Sequence, residues 1–479
     1  MKSLSDKQIL GIAILLSFFL AIVITWPVIL SPCSTVVGHP GNDNWNHVWG
    51  YWWVSDSLSR GEWPIQADKL VFPEGGTLYF IDTMQALFAW PLEVLFGAPF
   101  AFNFIVLLQF SICGIGAWLL AHKISADPWA AFVALILFES SPHLLGQAYN
   151  GISETVCAGW FPLTLWSLLR MMEIPSRRRA IEVGIIGGIC ILTSWYYGLF
   201  SLLGALIILL WSILYRSWLY KWKEVAKGIL IAIVVSLSII LGPLLSFRSS
   251  LSAENAIVTR DPEFVERSLI HHNITDVVAF FEPTKIPSPN LLELYGEELV
   301  IVIYLGWISL LLSAYALYQN RNKRGFGLWI WLFLIFFVFS LGPYLHVGGE
   351  YLLIQGKRIP LPFLPLYKLL PIFDRISHPF RFVVGLHLSL AVLAALGFRF
   401  LTRNRSLIQK QVALLILFCA IVTEVYLFSP ASLPIPHSKT EISQGYYDMK
   451  EDPVPGAVLD LPISDPNWER AVYVWHQSV

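Results

Sequence analysis

The chain has 479 residues, of which 56% are hydrophobic and only 14% charged, with a formal net charge of −1 and a mean hydropathy of +0.62. Soluble domains carry about one quarter charged residues, so this composition excludes a water-soluble globular chain and points to the bilayer. No basic excess is present, which removes nucleic acid from the partner classes.

The first apolar run extends from about Ile9 to Leu30, behind Lys2 and Lys7. A span takes about 20 apolar residues, and the run lacks the short core and small-residue site of a cleaved signal peptide. It reads as an uncleaved first helix with a cytosolic N-terminus. Further runs follow at 99–121, 127–142, 154–172, 179–195, 197–214, 228–246, 299–318, 326–344, 379–400 and 410–428. That makes about 11 spans, and this threading puts every strongly basic short loop on one side, as the positive-inside rule requires. Residues 84–97 are apolar but short; Glu93 and nearby prolines suit an interfacial helix better than a span. The five cysteines are scattered without metal-ligand spacing, and no metal site is expected from them.

The predicted fold class is therefore an all-α polytopic membrane protein. Residues 1–429 form the transmembrane domain, with long extracytosolic loops at 31–98, 247–298 and 345–378. The first of these loops carries interfacial helices. A tail over 430–479 begins a small extracytosolic α/β unit and reads as incomplete, with Val458–Pro462 as a strand and Tyr473–His476 as a strand or short helix. The localisation implied is a multi-pass cell membrane protein with its tail outside.

Three outer segments carry chemistry-bearing side chains. In the first, Asn42, Asp43 or Asn44 caps a helix whose Trp45, Trp49, Trp52 and Trp53 share one face. Tryptophan favours the membrane interface, so this face is expected on lipid headgroups. Asp43 and His47 stand one turn apart. Asp43 is either a catalytic base or metal ligand above the bilayer, or only a helix cap beside an aromatic anchor. In the second segment, Glu139, His143 and Glu154 lie at the mouth of spans, facing a water-filled cavity or solvated among headgroups. In the third, Arg375, His378 and Arg381 recur every third residue where a helix opens, with Ser377 as its cap and Pro379 in its first turn. Backbone N–H groups at a helix start favour anions, and guanidinium recognises phosphate in two-pronged fashion. The bland alternative is arginine snorkelling to headgroups. Loop 247–298 is expected to cover a cavity, and His387 and Glu424 to act as polar glue between spans.

Taken together these features resemble the GT-C class of polyprenyl-phosphate-dependent membrane glycosyltransferases, in a poorly characterised bacterial branch. The resemblance rests on Gly41-Asn42-Asp43 after the first span, on the surface helices at 43–58 and 84–97, and on Gly159-Trp160-Phe161-Pro162-Leu163 opening the fourth span. It also rests on Arg375-Ile376-Ser377-His378-Pro379-Phe380-Arg381-Phe382 opening the tenth. It implies hexosyl or pentosyl transfer from a lipid-linked sugar donor, with membrane lipids as surroundings and a glycan, lipid or protein as acceptor. Asp43 matches the catalytic acid; Arg375, His378 and Arg381 would bind the donor phosphate, with His47 and His143 at the cavity mouth. Many such enzymes have two adjacent acids, whereas asparagine flanks Asp43 here. This counts against a metal-dependent mechanism, with a divalent metal ion still open as cofactor, or else the second acid comes from elsewhere, with Glu139 and Glu154 as candidates. The competing readings are a transporter or flippase for a lipid-linked or small solute, which would show midplane charges and repeat symmetry, and a non-catalytic scaffold.

Overall fold

The first helix, α1 (Asp6–Ile24), starts at a capping box in which Ser5 and Gln8 satisfy each other's backbone N–H groups. It ends before Pro27, whose ring disfavours helical geometry in the residue ahead of it, so it is shorter than the apolar run that encodes it. These features come from a computed structural model. It describes residues 5–478 apart from 72, 216–220, 258–261, 284–299, 320–323, 371–372, 453–455, 457 and 459–472.

After α1 come α2 (Asn44–Ser59) and α3 (Thr83–Phe96) in the first loop, then α4 (Ala98–Ser125), α5 (Pro128–Glu139) and α6 (Pro142–Tyr149). The chain continues through α7 (Trp160–Glu173), α8 (Arg177–Thr193), α9 (Trp195–Leu214) and α10 (Trp222–Ser252). It closes with α11 (Trp307–Gln319), α12 (Arg324–Ser340), α13 (Val383–Leu401) and α14 (Leu407–Phe428). Each of the eleven expected runs thus holds a helix. Seven helical stretches among the described residues are long and apolar enough to cross a bilayer: α1, α4, α5 with α6, α9, α10, Pro379–Leu401 and α14. The helices α7, α8, α11 and α12 are shorter, at 14, 17, 13 and 17 residues. The protein is an all-α polytopic membrane protein.

Burial separates the interior helices from the periphery. From Val383 to Phe398 every residue of α13 is buried, and α4, α5, α11 and α12 pack around it. On α10, by contrast, Leu230, Val234, Leu237 and Leu241 are exposed. An apolar surface of this extent has lipid as its natural solvent. α3 is divided the same way: Ala86 and Ala89 are buried while Phe88, Val94, Leu95 and Phe96 are exposed.

Local chemistry explains the helix starts. Asp127 caps α5 by accepting from the N–H groups of Trp129 and Ala130, and its other oxygen takes Lys410 Nζ at 2.9 Å. Glu424, from α14, caps α11: it accepts from Trp307 N at 2.5 Å, Ile308 N at 3.2 Å and Tyr304 Oη at 2.8 Å. Glu424 and His387 also line a cavity of about 20 Å³, room for one water molecule.

Three expectations are corrected here. The eighth run is not helical from its start: residues 300–306 are non-helical, and α11 begins only at Trp307. The β-branched stretch Val300-Ile301-Val302-Ile303 favours extended backbone, and Gly306 turns the chain at φ +82°. The tryptophan face of α2 does not lie on headgroups. Trp45, Trp49 and Trp53 are buried, because α3, α4 and the tail helix Tyr473–His476 pack around α2. Only Trp52 is partly accessible. The Trp49 and Trp53 rings stack at 5.5 Å. Finally, α10 runs on to Ser252, into what reads as loop.

The outer segments lock onto one another. β1 (Thr35–Val37) pairs antiparallel with β2 (His437–Lys439), Val36 opposite Ser438, which docks the tail on the first loop. The tail residues Tyr473–His476 are a short helix, and the expected strand at Val458–Pro462 lies almost wholly outside the described residues. Asp276 joins the other two loops, accepting from Val278 N, Gly349 N and His346 Nδ1 at 2.7–2.9 Å. Those donors hold its carboxyl below the usual range against the opposing effect of burial. Asn273, in an Asn-Ile-Thr sequon, is buried and donates to Ser377 O at 2.6 Å.

Candidate active site

Two glycines let separate backbone segments touch where α2 begins. Gly38 (φ +117°) lies against Gly151 (φ +72°), and a Cβ on Gly151 would stand 2.3 Å from Asn44 Cβ. Across this contact His39 N donates to Tyr149 O at 2.8 Å and Asp43 N to Asn150 O at 3.1 Å. Asn42 Nδ2 donates to Asn150 Oδ1 at 3.3 Å, and Asn44 Nδ2 to Ser438 Oγ at 3.0 Å. The asparagines flanking Asp43 are therefore clamps between the first loop, the α6 turn and the tail.

Asp43 stands at the N-cap position of α2, yet its carboxylate makes no capping hydrogen bond. Instead it accepts from Asn46 Nδ2 at 3.4 Å. Burial pushes its pKa above the ordinary carboxylate value, while the nearby charges of His47 and Arg381 pull against that rise.

His47 turns toward an acid that sequence reasoning missed. Asp82 is fully buried, and its Oδ2 lies 2.5 Å from His47 Nδ1. Ser153 Oγ donates to the same oxygen and lies 3.2 Å from His47 Nδ1, and Gln85 Nε2 donates to Oδ1 at 2.8 Å. Burial by itself would lower the His47 pKa; Asp82, Asp43 and Glu154 outweigh it, and the net direction is upward. The imidazole is held toward its cationic form.

Glu154 and Arg381 form a buried ion pair, Oε1 to Nη1 at 3.2 Å. The guanidinium lies over the Tyr196 ring, 4.5 Å from its centre, a cation–π arrangement. Among the described residues Arg381 Nε and Tyr196 Oη have no hydrogen-bond partner. Such donors, buried in one place, suit an anion. His143 borders this group: Nδ1 bonds Val302 O at 3.0 Å, its ring meets Phe380 edge-on, and Nε2 has no partner among the described residues.

The other candidates are placed differently. Arg375 is exposed, at the end of a 3₁₀ turn, Phe373–Arg375. His378 is half-buried and bonds Ser377 Oγ at 2.8 Å. A shared side at every third residue requires a continuous helix. Here two 3₁₀ turns flank non-helical residues 376–378, so Arg375 does not share Arg381's surroundings. Ser377 is not the cap; His378 precedes the second turn and makes no side-chain cap. Glu139 is inside the bundle, accepting from Ser17 Oγ at 2.5 Å. Gly114 makes room for that bond: a Cβ there would sit 2.0 Å from Glu139 Oε2. The structure therefore gathers Asp43, His47, Asp82, Glu154 and Arg381, with His143 beside them, and leaves Glu139 apart.

The donor set bears on the divalent ion. Both oxygens of Asp82 take N–H or O–H donors, Glu154 faces a guanidinium, and among the described residues no three His, Cys, Asp or Glu side chains are gathered as ligands. These residues do not fit a metal ion in this arrangement.

The helical bundle and the helices of the first loop define the class: this is a polytopic membrane protein with the fold of the GT-C glycosyltransferases. The chain is similar to the Archaeoglobus fulgidus oligosaccharyltransferase in its apo form, with TM-score 0.57 and 13% identity over 98% of this chain. It is likewise similar to the oligosaccharyltransferase AglB of that organism in complex with an inhibitory peptide and a dolichol-phosphate, with TM-score 0.55 and 14% identity over 98% of this chain. ArnT from Cupriavidus metallidurans bound to undecaprenyl phosphate gives TM-score 0.44 and 16% identity over 87% of this chain. In each case the match covers 63% of the other protein's length. By sequence the chain belongs to the family described as a domain of unknown function, DUF6311, whose model matches residues 13–423. No curated protein matches it.

Proposed function

We propose that the protein is a membrane glycosyltransferase that moves a sugar from a lipid-phosphate donor to an acceptor on the extracytosolic side. The observation that carries this reading is the convergence of Asp43, a carboxylate free of capping duty, with the buried cations His47 and Arg381. The fold supports it, as does the dolichol-phosphate bound by one similar structure.

In this mechanism Asp43 takes the proton of the acceptor hydroxyl or amide. The acceptor atom forms its bond to the anomeric carbon as that carbon's bond to the phosphate oxygen breaks. The electron pair leaves with the polyprenyl phosphate. Burial makes Asp43 a stronger base than an exposed aspartate. Arg381, with Nε still available, and the His47 imidazolium stabilise the charge that develops on the leaving phosphate. Glu154 and Tyr196 orient the guanidinium, while Asp82, Ser153 and Gln85 orient the imidazole.

The test is a surface-glycan and glycolipid profile by mass spectrometry. A deletion strain is compared with the same strain carrying wild type or Asp43→Asn at equal membrane abundance. The expected result is a sugar lost on deletion, restored by wild type and reduced at least about 100-fold with Asp43→Asn, the usual scale for a general base. Full restoration by Asp43→Asn overturns the assignment of the base. A profile unchanged by deletion overturns the transferase reading and favours the transporter.

A further inference from the structure

We propose that the opposite end of the bundle holds a structural anionic phospholipid. A cavity of about 500 Å³ opens there between α4, α9, α12 and α13, well within the range of about 300–1,000 Å³ that accommodates a small ligand. Its rim carries Lys123, Arg399 and Arg403, and its floor includes Phe326, Trp329 and Phe400. Lys123 is paired with Glu173 at 2.6 Å. Arg399 and Arg403 have no ion-pair partner among the described residues, so the rim has cationic charge to offer.

Basic residues at this end of a bundle satisfy the positive-inside rule and need no ligand. The cavity makes the difference: Arg399, Arg403 and an aromatic wall line one recess of about 500 Å³, and neither arginine has an ion-pair partner among the described residues.

The occupant is amphiphilic by the same chemistry. Phosphate suits the two guanidinium groups. The Phe326 and Phe400 rings, stacked at 6.2 Å, offer an apolar wall that a free phosphate ion does not use and an acyl chain does. Basic pockets between membrane helices bind lipid phosphates in this way. The site is distinct from the Asp43 cluster, and the inference stands whether or not the protein transfers sugar.

The experiment uses the full chain purified in a neutral detergent. Thermal unfolding is followed with added phosphatidylglycerol, phosphatidylcholine or inorganic phosphate, and native mass spectrometry counts retained phospholipid. The expected result is stabilisation by phosphatidylglycerol alone, with one lipid retained. Arg399→Gln combined with Arg403→Gln weakens that retention at least 10-fold, while Arg177→Gln combined with Arg178→Gln, on another loop, leaves it unchanged. Leu328→Trp, which fills the cavity without touching charge, also lowers retention and decides the matter if the arginine pair does not yield folded protein. Equal stabilisation by phosphatidylcholine, equal stabilisation by inorganic phosphate, or undiminished retention in the variants overturns the proposal.

Discussion

Arg381 is the residue at which stability and chemistry can be separated. It is buried with Glu154, and taking one member of a buried pair away leaves the other charge uncompensated, at a cost of about 3–5 kcal/mol. Replacing both members by apolar residues of similar size is often close to neutral. Arg381→Met is therefore expected to lower the thermal midpoint strongly, and Arg381→Met with Glu154→Leu to recover most of that loss. On the proposed mechanism neither variant regains sugar transfer, because the phosphate has lost its guanidinium. Thermal unfolding in detergent and the glycolipid profile measure the two effects; recovery of transfer by the double variant would show that Arg381 serves stability alone. Of this site, the sequence reveals Asp43, His47, Glu154 and Arg381 as polar residues at span mouths. Asp82 escapes it, since a single acid 35 positions from its histidine carries no spacing signal. Only a carboxylate opening a short apolar helix, Asp82 before α3, marks it.

At the level of elements, α2 positions Asp43, and its seating depends on close backbone contact together with the asparagine clamps. Helical periodicity identifies the tryptophan face correctly, but periodicity says nothing about what covers a face. The cover comes from α3, α4 and residues 473–476, far away in sequence. The non-helical stretch at 300–306 hides for a related reason. An apolar β-branched run reads alike as helix or buried strand, and here Asn150 Nδ2 and His143 Nδ1 bond its Val300 and Val302 carbonyls, at 3.0 Å each. A tight point in this assembly is Gly151. Alanine there meets both an unfavourable φ of +72° and Asn44 at 2.3 Å, with Asn44 backbone atoms at 2.6 Å. The segment carrying Asp43 must move away. Gly151→Ala is expected to lower the thermal midpoint and to reduce transfer more than 10-fold, since misplacement by about 1 Å costs on the order of 100-fold in rate. Normal transfer by a stably folded Gly151→Ala protein would mean that the clamp does not set the position of the base.

For the whole molecule, the expected number of spans and the expected orientation rest on one and the same charge asymmetry. If Thr83–Phe96 crossed the bilayer, the loops bearing Arg177, Arg178 and Arg179 would be exported, against the positive-inside rule. The outer loops then fall together. The first loop pairs with the tail through β1 and β2, and the second joins the third through Asp276, which is possible only if each pair shares a side of the membrane. Single cysteines placed in a background without the five native ones test this in intact cells. Cysteine at Gly348 or Ser443 is expected to react with a membrane-impermeant maleimide, and cysteine at Arg178 or Arg403 only after permeabilisation. Labelling of Arg178→Cys but not of Gly348→Cys in intact cells would reverse the orientation, place the Asp43 cluster on the cytosolic side and remove the reason for assigning sugar transfer to the extracytosolic face.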